Sequence, residues 1–434
     1  MTPRLAQMRW IGFVAVLACP GAVRGQIAPP PPDTMLHRLT REALATNPGL
    51  RSRTGLALAA GSRVRAAGAL PDPVLEVGVM DLVLPDLAFK RDDFTEVDVQ
   101  LSQEVPWPGT LGARSAAQRA EARARAAEVR VHAREIVVRT AELYYRLRYV
   151  VTARATVARQ RALLQSAVEI STSRYATSRA SQADPLQARV ALARLETEDA
   201  ELRAEEAELR AELRALRGVE GAESLAVEPI RPGVVLAHAA GAWDTTAVPG
   251  RPAPLESLEF HPRLAARAAE LDAARHRMRV EALGARPDFT VTVRYGARPI
   301  ASDFFSAFVG LRLPLWAGQK QRRLADAARA EAQGAQAALE EERAALAAEL
   351  RTARARAASG EERLRLLVER VVPAAQATVE AGLRSYRVGQ AEFLTVLAAE
   401  DALYRAELDA ARVAAEHLVH LVVLEQLLAQ GETS

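Results

Sequence analysis

Proline is absent from Thr110 to Arg174 and glycine occurs there once, at Gly112, so nothing in about 65 residues interrupts a helix. Val129, Ile136, Leu143, Val150, Val157 and Leu164 recur every seven residues along it. At 1.5 Å per residue such a helix reaches roughly 100 Å, several times the width of a compact domain. Upstream, from Phe94, Val97, Val99 and Leu101 alternate with Glu96, Asp98, Gln100 and Ser102. That period of two marks a strand with one apolar face. Pro106, Trp107, Pro108 and Gly109 end the ladder and turn the chain into the rod.

Composition agrees with long helices: aromatic residues are only 5% of the 434, and alanine, arginine, glutamate and leucine dominate. The net charge is +3, with acidic and basic residues interspersed, which argues against nucleic-acid binding. The sole cysteine, Cys19, lies in the N-terminal segment, so cysteine metal sites, disulfides and cysteine nucleophiles are excluded from the rest of the chain.

Residues 1–25 read as a secretory signal: Arg4 and Arg9, the apolar run Trp10 to Cys19, then small residues to Gly25. A second reading ends the signal at V-L-A-C with Cys19 lipidated, although Leu17 and Pro20 depart from that pattern. Residues 26–33, with Pro29 to Pro32, form a stiff spacer. No later stretch holds eighteen consecutive apolar residues, so any membrane insertion must use strands.

From Thr34 the chain reads as a helix restarted at Asn47-Pro48 and stopped by A-L-P-D-P (69–73), a strand over Val74 to Leu84, a loop, then the strand, corner and rod. A break at Arg174 to Pro185 precedes helix to about Arg217, and residues 218–258 form a linker or small equatorial layer without a clear period. The pattern then repeats. His261-Pro262 echoes Asn47-Pro48, and A-R-P-D-F (285–289) echoes A-L-P-D-P. Phe289, Val291, Val293 and Tyr295 form one strand; Phe305, Ala307, Val309, Leu311 and Leu313 share a face of another. L-P-L-W-A-G, with Pro314, Trp316 and Gly318, echoes the first corner. About 67 helical residues follow, with Leu339, Leu346 and Leu367 on one heptad position and Leu350, Leu364 and Val371 on another. Y-x-x-S-x-A-x-x-x-D-x-L (175–186) aligns with Y-x-x-G-x-A-x-x-x-T-x-L (386–397), which makes residues 34–217 and 259–430 two repeats, with a tail at 431–434.

Each repeat is helix, strand, strand, long helix, shorter helix: mainly α with a small β part. Strands of about ten residues, tilted near 45°, just cross a hydrocarbon layer. Four strands cannot close a barrel, and an open sheet leaves edges unpaired in lipid, so further strands must come from other copies. Three copies give a twelve-stranded barrel; two also close. The helices fit a cylinder wall of two continuous rods and two end-to-end pairs, the segment after Pro185 with that before Pro287, and the segment after Gly389 with that before Pro71.

The duplicated order, the corner S-Q-E-V-P-W-P-G with the following G-A-R, and the two Tyr-x-x-(Gly/Ser)-x-Ala tips resemble the TolC family of outer-membrane efflux proteins. The corner is most similar to the branch serving heavy-metal exporters of the cobalt-zinc-cadmium type. The resemblance implies a homotrimer in the bacterial outer membrane, with a transmembrane β-barrel in the lipid and a periplasmic α-helical tunnel. It further implies docking to a periplasmic adaptor (membrane fusion) protein and an inner-membrane resistance-nodulation-division pump. The chain would be a passive efflux duct, not an enzyme, with divalent heavy metals or small organic solutes as cargo.

The resemblance makes the tips, Tyr175, Ser178 and Ala180 with Tyr386, Gly389 and Ala391, the adaptor-docking points; read locally they are turns. Pro106, Trp107, Gly109, Pro314, Trp316 and Gly318 mark the membrane boundary, where tryptophan belts sit. The family's gate acids fall at Thr395 and Ala398, neither acidic. Asp184, Glu392 and Glu400 lie nearby and read either as a cation-attracting ring or as helix-end charges. His417 and His420, one turn apart, read as packing residues with too few companions for a metal, and no cofactor site emerges. The phosphate-loop, H-E-x-x-H and G-x-S-x-G motifs are absent. A periplasmic adaptor would need many short strands around one hairpin, and a structural coiled coil would leave the four strands and both corners without a purpose.

Overall fold

The computed structural model describes residues 33–82, 90, 92–177, 181–221, 225–242, 258–388 and 390–428, without the side chains of 238–242. The signal, most of the spacer, much of the linker, the 431–434 tail, and Ser178, Ala180 and Gly389 lie outside them. The first repeat runs α1 (Thr34–Thr46), α2 (Pro48–Ala67), β1 (Val74–Met80), β2 (Glu96–Val105), α3 (Thr110–Ala176) and α4 (Ala183–Arg217). After α5 (Pro232–Ala242) comes the second: α6 (Pro262–Leu283), β3 (Asp288–Ala297), β4 (Phe304–Arg312), α7 (Gln321–Leu366), a π-helical turn (Leu367–Val371), α8 (Val372–Arg387) and α9 (Phe393–Leu428).

The rod is the spine. α3 is one helix of 67 residues, and Ile136, Leu143, Val150, Val157 and Leu164 are all buried along it. The seven-residue repeat continues one step further to Ser171, also fully buried. α4 covers its lower half, α2 and α6 its upper half, and α9 packs on it and on α7. Several arginines tie neighbouring helices together. Arg139 meets Glu212 at 2.6 Å and Arg146 meets Glu205 at 2.8 Å across α3 and α4, while Arg263 meets Glu342 at 2.6 Å across α6 and α7.

Both helix restarts are real and their chemistry is visible. Asn47 Oδ1 accepts from the Leu50 amide at 2.9 Å, Pro48 supplies the fixed φ of the first turn, and Asn47 Nδ2 donates to the Leu216 carbonyl at 2.7 Å. His261 caps α6 in the same way, its Nδ1 accepting from the Arg263 amide at 3.3 Å.

Four features differ from the sequence expectation. The end-to-end pairs are exchanged: the end of α4 abuts the start of α2, where Thr46 and Asn47 hydrogen-bond the Arg217 and Leu216 carbonyls. The end of α9 correspondingly abuts α6, with Leu424 and Leu427 packed with Leu258, Leu264 and Leu271. Asp33, assigned to the spacer, is anchored: it caps α1 and binds the Tyr144 hydroxyl at 3.0 Å and Arg148 at 2.9 Å. The linker contains α5, which packs on α7 and α9. The second rod is also 67 residues but carries the π turn. Pro373 sits at the start of α8 and has no amide to give, and the wider turn before it accommodates the missing bond. The extra residue rotates the downstream part of the rod, so Leu364 is buried but Val371, expected on the same face, is exposed.

The four strands form one antiparallel meander in the order β1-β2-β3-β4, with β2 pairing β3 across the two repeats. The outer edges of β1 and β4 are unpaired among the described residues.

Candidate functional site

The strand register sorts the sheet into two unlike faces. Val99 lies opposite Val77 and Tyr295, Leu101 opposite Leu75 and Val293, and Val291 opposite Val309. Directly opposed residues point to the same side, so this face is apolar across all four strands apart from Gln103, which bonds the Pro71 carbonyl at the sheet's end. Most of it is bare: Leu75, Val77, Leu101, Phe305 and Val309 are among the most exposed large apolar residues. The other face carries Glu76, Glu96, Asp98, Gln100, Ser102, Glu104, Thr292, Arg294 and Arg312, with Val74, Met80, Phe304 and Phe308 among them.

The polar face is internally bonded. The Arg294 guanidinium grips both Glu96 and Asp98, Arg312 meets Glu104 at 2.7 Å, and the Gln100 amide donates to Glu76 at 3.0 Å. Phe304 lies on this face against Gly296, where any side chain would collide with its ring, and the Arg294 and Arg298 guanidiniums stand 5.5 and 5.4 Å from that ring. Sequence reading found the strands but missed this cluster, because cross-strand register decides which charges meet.

At the corners the repeats diverge. Pro106 is buried, and Trp107 stacks on Phe289 at 5.9 Å, with Arg286 5.8 Å from its ring and its amide donating to Asp288 at 2.9 Å. Gly109 has φ +92°, a conformation that favours glycine. In the second corner Pro314 is half-buried and Trp316 is 72% exposed; its carbonyl accepts the Gln319 and Lys320 amides, and Gly318 needs no positive φ. One tryptophan is an internal brace and the other an outward anchor.

At the opposite end, Tyr175 closes α3 and is exposed. The structure brings the two tips together through Arg174, whose guanidinium stands 4.5 Å above the Tyr386 ring, which in turn tilts against buried Phe393 at 5.9 Å. Ala391 lies just before α9, half-buried. Asp184 sits in the first turn of α4 and the Glu392 carbonyl caps the start of α9, ends where negative charge is favoured. Both residues stand at helix starts, and Glu400 is separate from them. It lies between α9 and α3, where burial pushes its carboxyl up against a lowering hydrogen bond from Gln160, and Glu407 adds to the rise.

His417 is 2% exposed and lies against Gly360 of α7; burial lowers its pKa, and that of His420. Among the described residues, no three His, Cys, Asp or Glu side chains are placed to hold a metal ion, and no helix is long and apolar enough to cross a membrane.

Comparisons agree with this geometry. Residues 253–430, essentially the second repeat, match the family model described as outer membrane efflux protein. No curated protein sequence matches the chain. Among solved structures, CusC superposes with a TM-score of 0.78 at 17% identity, covering 92% of this chain and 93% of that one. The outer-membrane channel OprN gives 0.77 at 19%, covering 92% and 91%. VceC of Vibrio cholerae gives 0.76 at 19%, covering 92% and 97%. The fold is that of the TolC-like outer-membrane channels: mainly helical, with four strands per chain.

Proposed function

We propose that the chain is the outer-membrane duct of a tripartite efflux system, three copies closing a twelve-stranded barrel above a periplasmic helical tunnel. The observation that carries this reading is the sheet, largely apolar on one face and rich in charged and polar groups on the other, with the edges of β1 and β4 unpaired among the described residues. In water such a sheet exposes its apolar face, and in lipid its open edges would strand backbone donors and acceptors. Closing it with other copies resolves both: the apolar face meets lipid and the charged face lines water. The family match over residues 253–430 supports the same reading.

Work is then divided by position. The barrel passes cargo, the tunnel bridges the periplasm, and the tips receive an adaptor that links the duct to an inner-membrane pump. The chain itself supplies no chemical step. Cargo is read as divalent heavy-metal cations from the corner resemblance, with organic solutes as the competing class.

The test is fractionation followed by conductance. The protein is expected in outer-membrane vesicles as a heat-modifiable oligomer that forms water-filled pores in planar bilayers. A soluble monomer overturns the proposal. A bulky or charged replacement of Gly389 or Ala391 is expected to abolish export while oligomers still assemble, and normal export would remove the docking role. In the same bilayers, unchanged cation selectivity in both Asp184→Asn and Glu392→Gln would remove those carboxylates as a gate.

A further inference from the structure

Where the helices meet the sheet, cations cluster with few carboxylates among them. Several arginines along the helices face carboxylates on neighbouring helices, as Arg139, Arg146 and Arg263 do. Across the segments 65–73, 106–115, 284–288 and 313–323, which make the junction, six cations stand against two carboxylates, Asp72 and Asp288. Arg65, Arg114, Arg286, Lys320, Arg322 and Arg323 are all exposed, and among the described residues none has a carboxylate within ion-pair distance. Asp288 is already engaged by the Trp107 amide. The junction therefore concentrates positive charge on a chain whose total is only +3.

Helix stabilisation does not explain this charge. Arg65 is in the last turn of α2, where a cation is favoured, but Lys320, Arg322 and Arg323 open α7, where the macrodipole opposes them and no acidic residue shares the first turn. Their neighbours identify what they face. Leu313, Leu315 and Trp316, all more than half exposed, continue the apolar side of β4, and the hydrogen bond from the Lys320 amide to the Trp316 carbonyl holds Lys320 one turn away. Apolar side chains followed within a turn by free cations match the boundary between acyl chains and headgroups.

We propose that this band is a docking surface for anionic phospholipid headgroups of the membrane leaflet on the helical side, with Lys320, Arg322 and Arg323 as its main contacts. The proposal rests on the membrane reading above. Headgroup binding at the junction would fix the depth of the sheet in the bilayer and tie each rod to the membrane plane.

The experiment reconstitutes the purified full-length oligomer into phosphatidylcholine vesicles with or without phosphatidylglycerol and measures the relative association of spin-labelled forms of the two lipids. Wild type is expected to prefer phosphatidylglycerol, with a preference that weakens as salt is raised. The triple variant Lys320→Gln, Arg322→Gln, Arg323→Gln is expected to lower that preference at least about fivefold, the effect of one cation near an anionic surface. The charge-preserving set Lys320→Arg, Arg322→Lys, Arg323→Lys retains it, which separates charge from folding. Equal association of both lipids, or an undiminished preference in the glutamine variant, overturns the proposal. Loss of the preference to millimolar inorganic phosphate would also overturn it, as the mark of a free-phosphate site. Failure to insert into either vesicle overturns the membrane reading and this proposal together; insertion without preference overturns this proposal alone.

Discussion

His261 shows how a single side chain carries a joint. It caps α6 through an unprotonated Nδ1, so the folded state requires the neutral ring. Burial, helped by the Arg134 and Arg263 charges and opposed by Glu349 and Glu342, lowers its pKa to about 4 from the ordinary 6.5. The unfolded chain takes up this proton more readily than the folded one. The stabilisation is therefore complete above pH 6.5 and lost as pH falls toward 4, on the order of 3 kcal/mol. In denaturant titrations His261→Asn is expected to keep the cap and flatten stability over that window; an undiminished slope would show that other groups cause it. A second contrast separates the corners. Gly109→Ala is expected to cost about 1–2 kcal/mol because φ is +92°, while Gly318→Ala stays within about 0.5 kcal/mol. Thermal dissociation of the oligomer reads both. The sequence revealed both helix restarts and both corners, since proline, asparagine and glycine act locally. It could not reveal that Trp107 turns inward and Trp316 outward, because that choice depends on Phe289 and Arg286 arriving from a distant strand.

Among the elements, what the sequence misassigned was the partner of each short helix. The long rods were legible from the absence of helix breakers, but equal reach was a weak guide to splicing. α4 and α2 have 35 and 20 residues, α9 and α6 have 36 and 22, and these pairs match once α1 is set aside. Contacts at the joint decide the pairing. Gly218 ends α4 at φ +60°, and a Cβ there would stand 2.9 Å from the Thr46 carbonyl and 3.3 Å from Pro48 Cδ. Gly218→Ala thus combines a left-handed backbone with a clash and is expected to destabilise by about 2–4 kcal/mol. Gly284→Ala, at the end of α6 in right-handed geometry, is the milder control. Equal losses for the two in urea melts would refute the joint as the source of the strain.

For the whole molecule the decisive property is the parity of the strands. Alternation marks an apolar side on three of the strands from sequence alone, but only the register shows that all four sides coincide, with Val77, Val99, Tyr295 and Phe305 in one row. A one-residue slip of any strand would turn valines onto the charged side and bury Glu or Arg against lipid. Position on the strand therefore predicts less than face. If the apolar face meets lipid, as proposed, Val99→Arg places a charge there near the middle of the sheet, at about 2–4 kcal/mol per copy. Thr292→Arg, on the polar face between Ser102 and Phe308, meets an existing hydroxyl and an exposed ring over which a guanidinium can lie. The first variant is expected to lose the heat-modifiable oligomer from outer-membrane vesicles, and the second to assemble normally with altered conductance. The reverse outcome would place the charged face toward lipid and invalidate the closed barrel; equal assembly of both would show that this sheet never meets a bilayer.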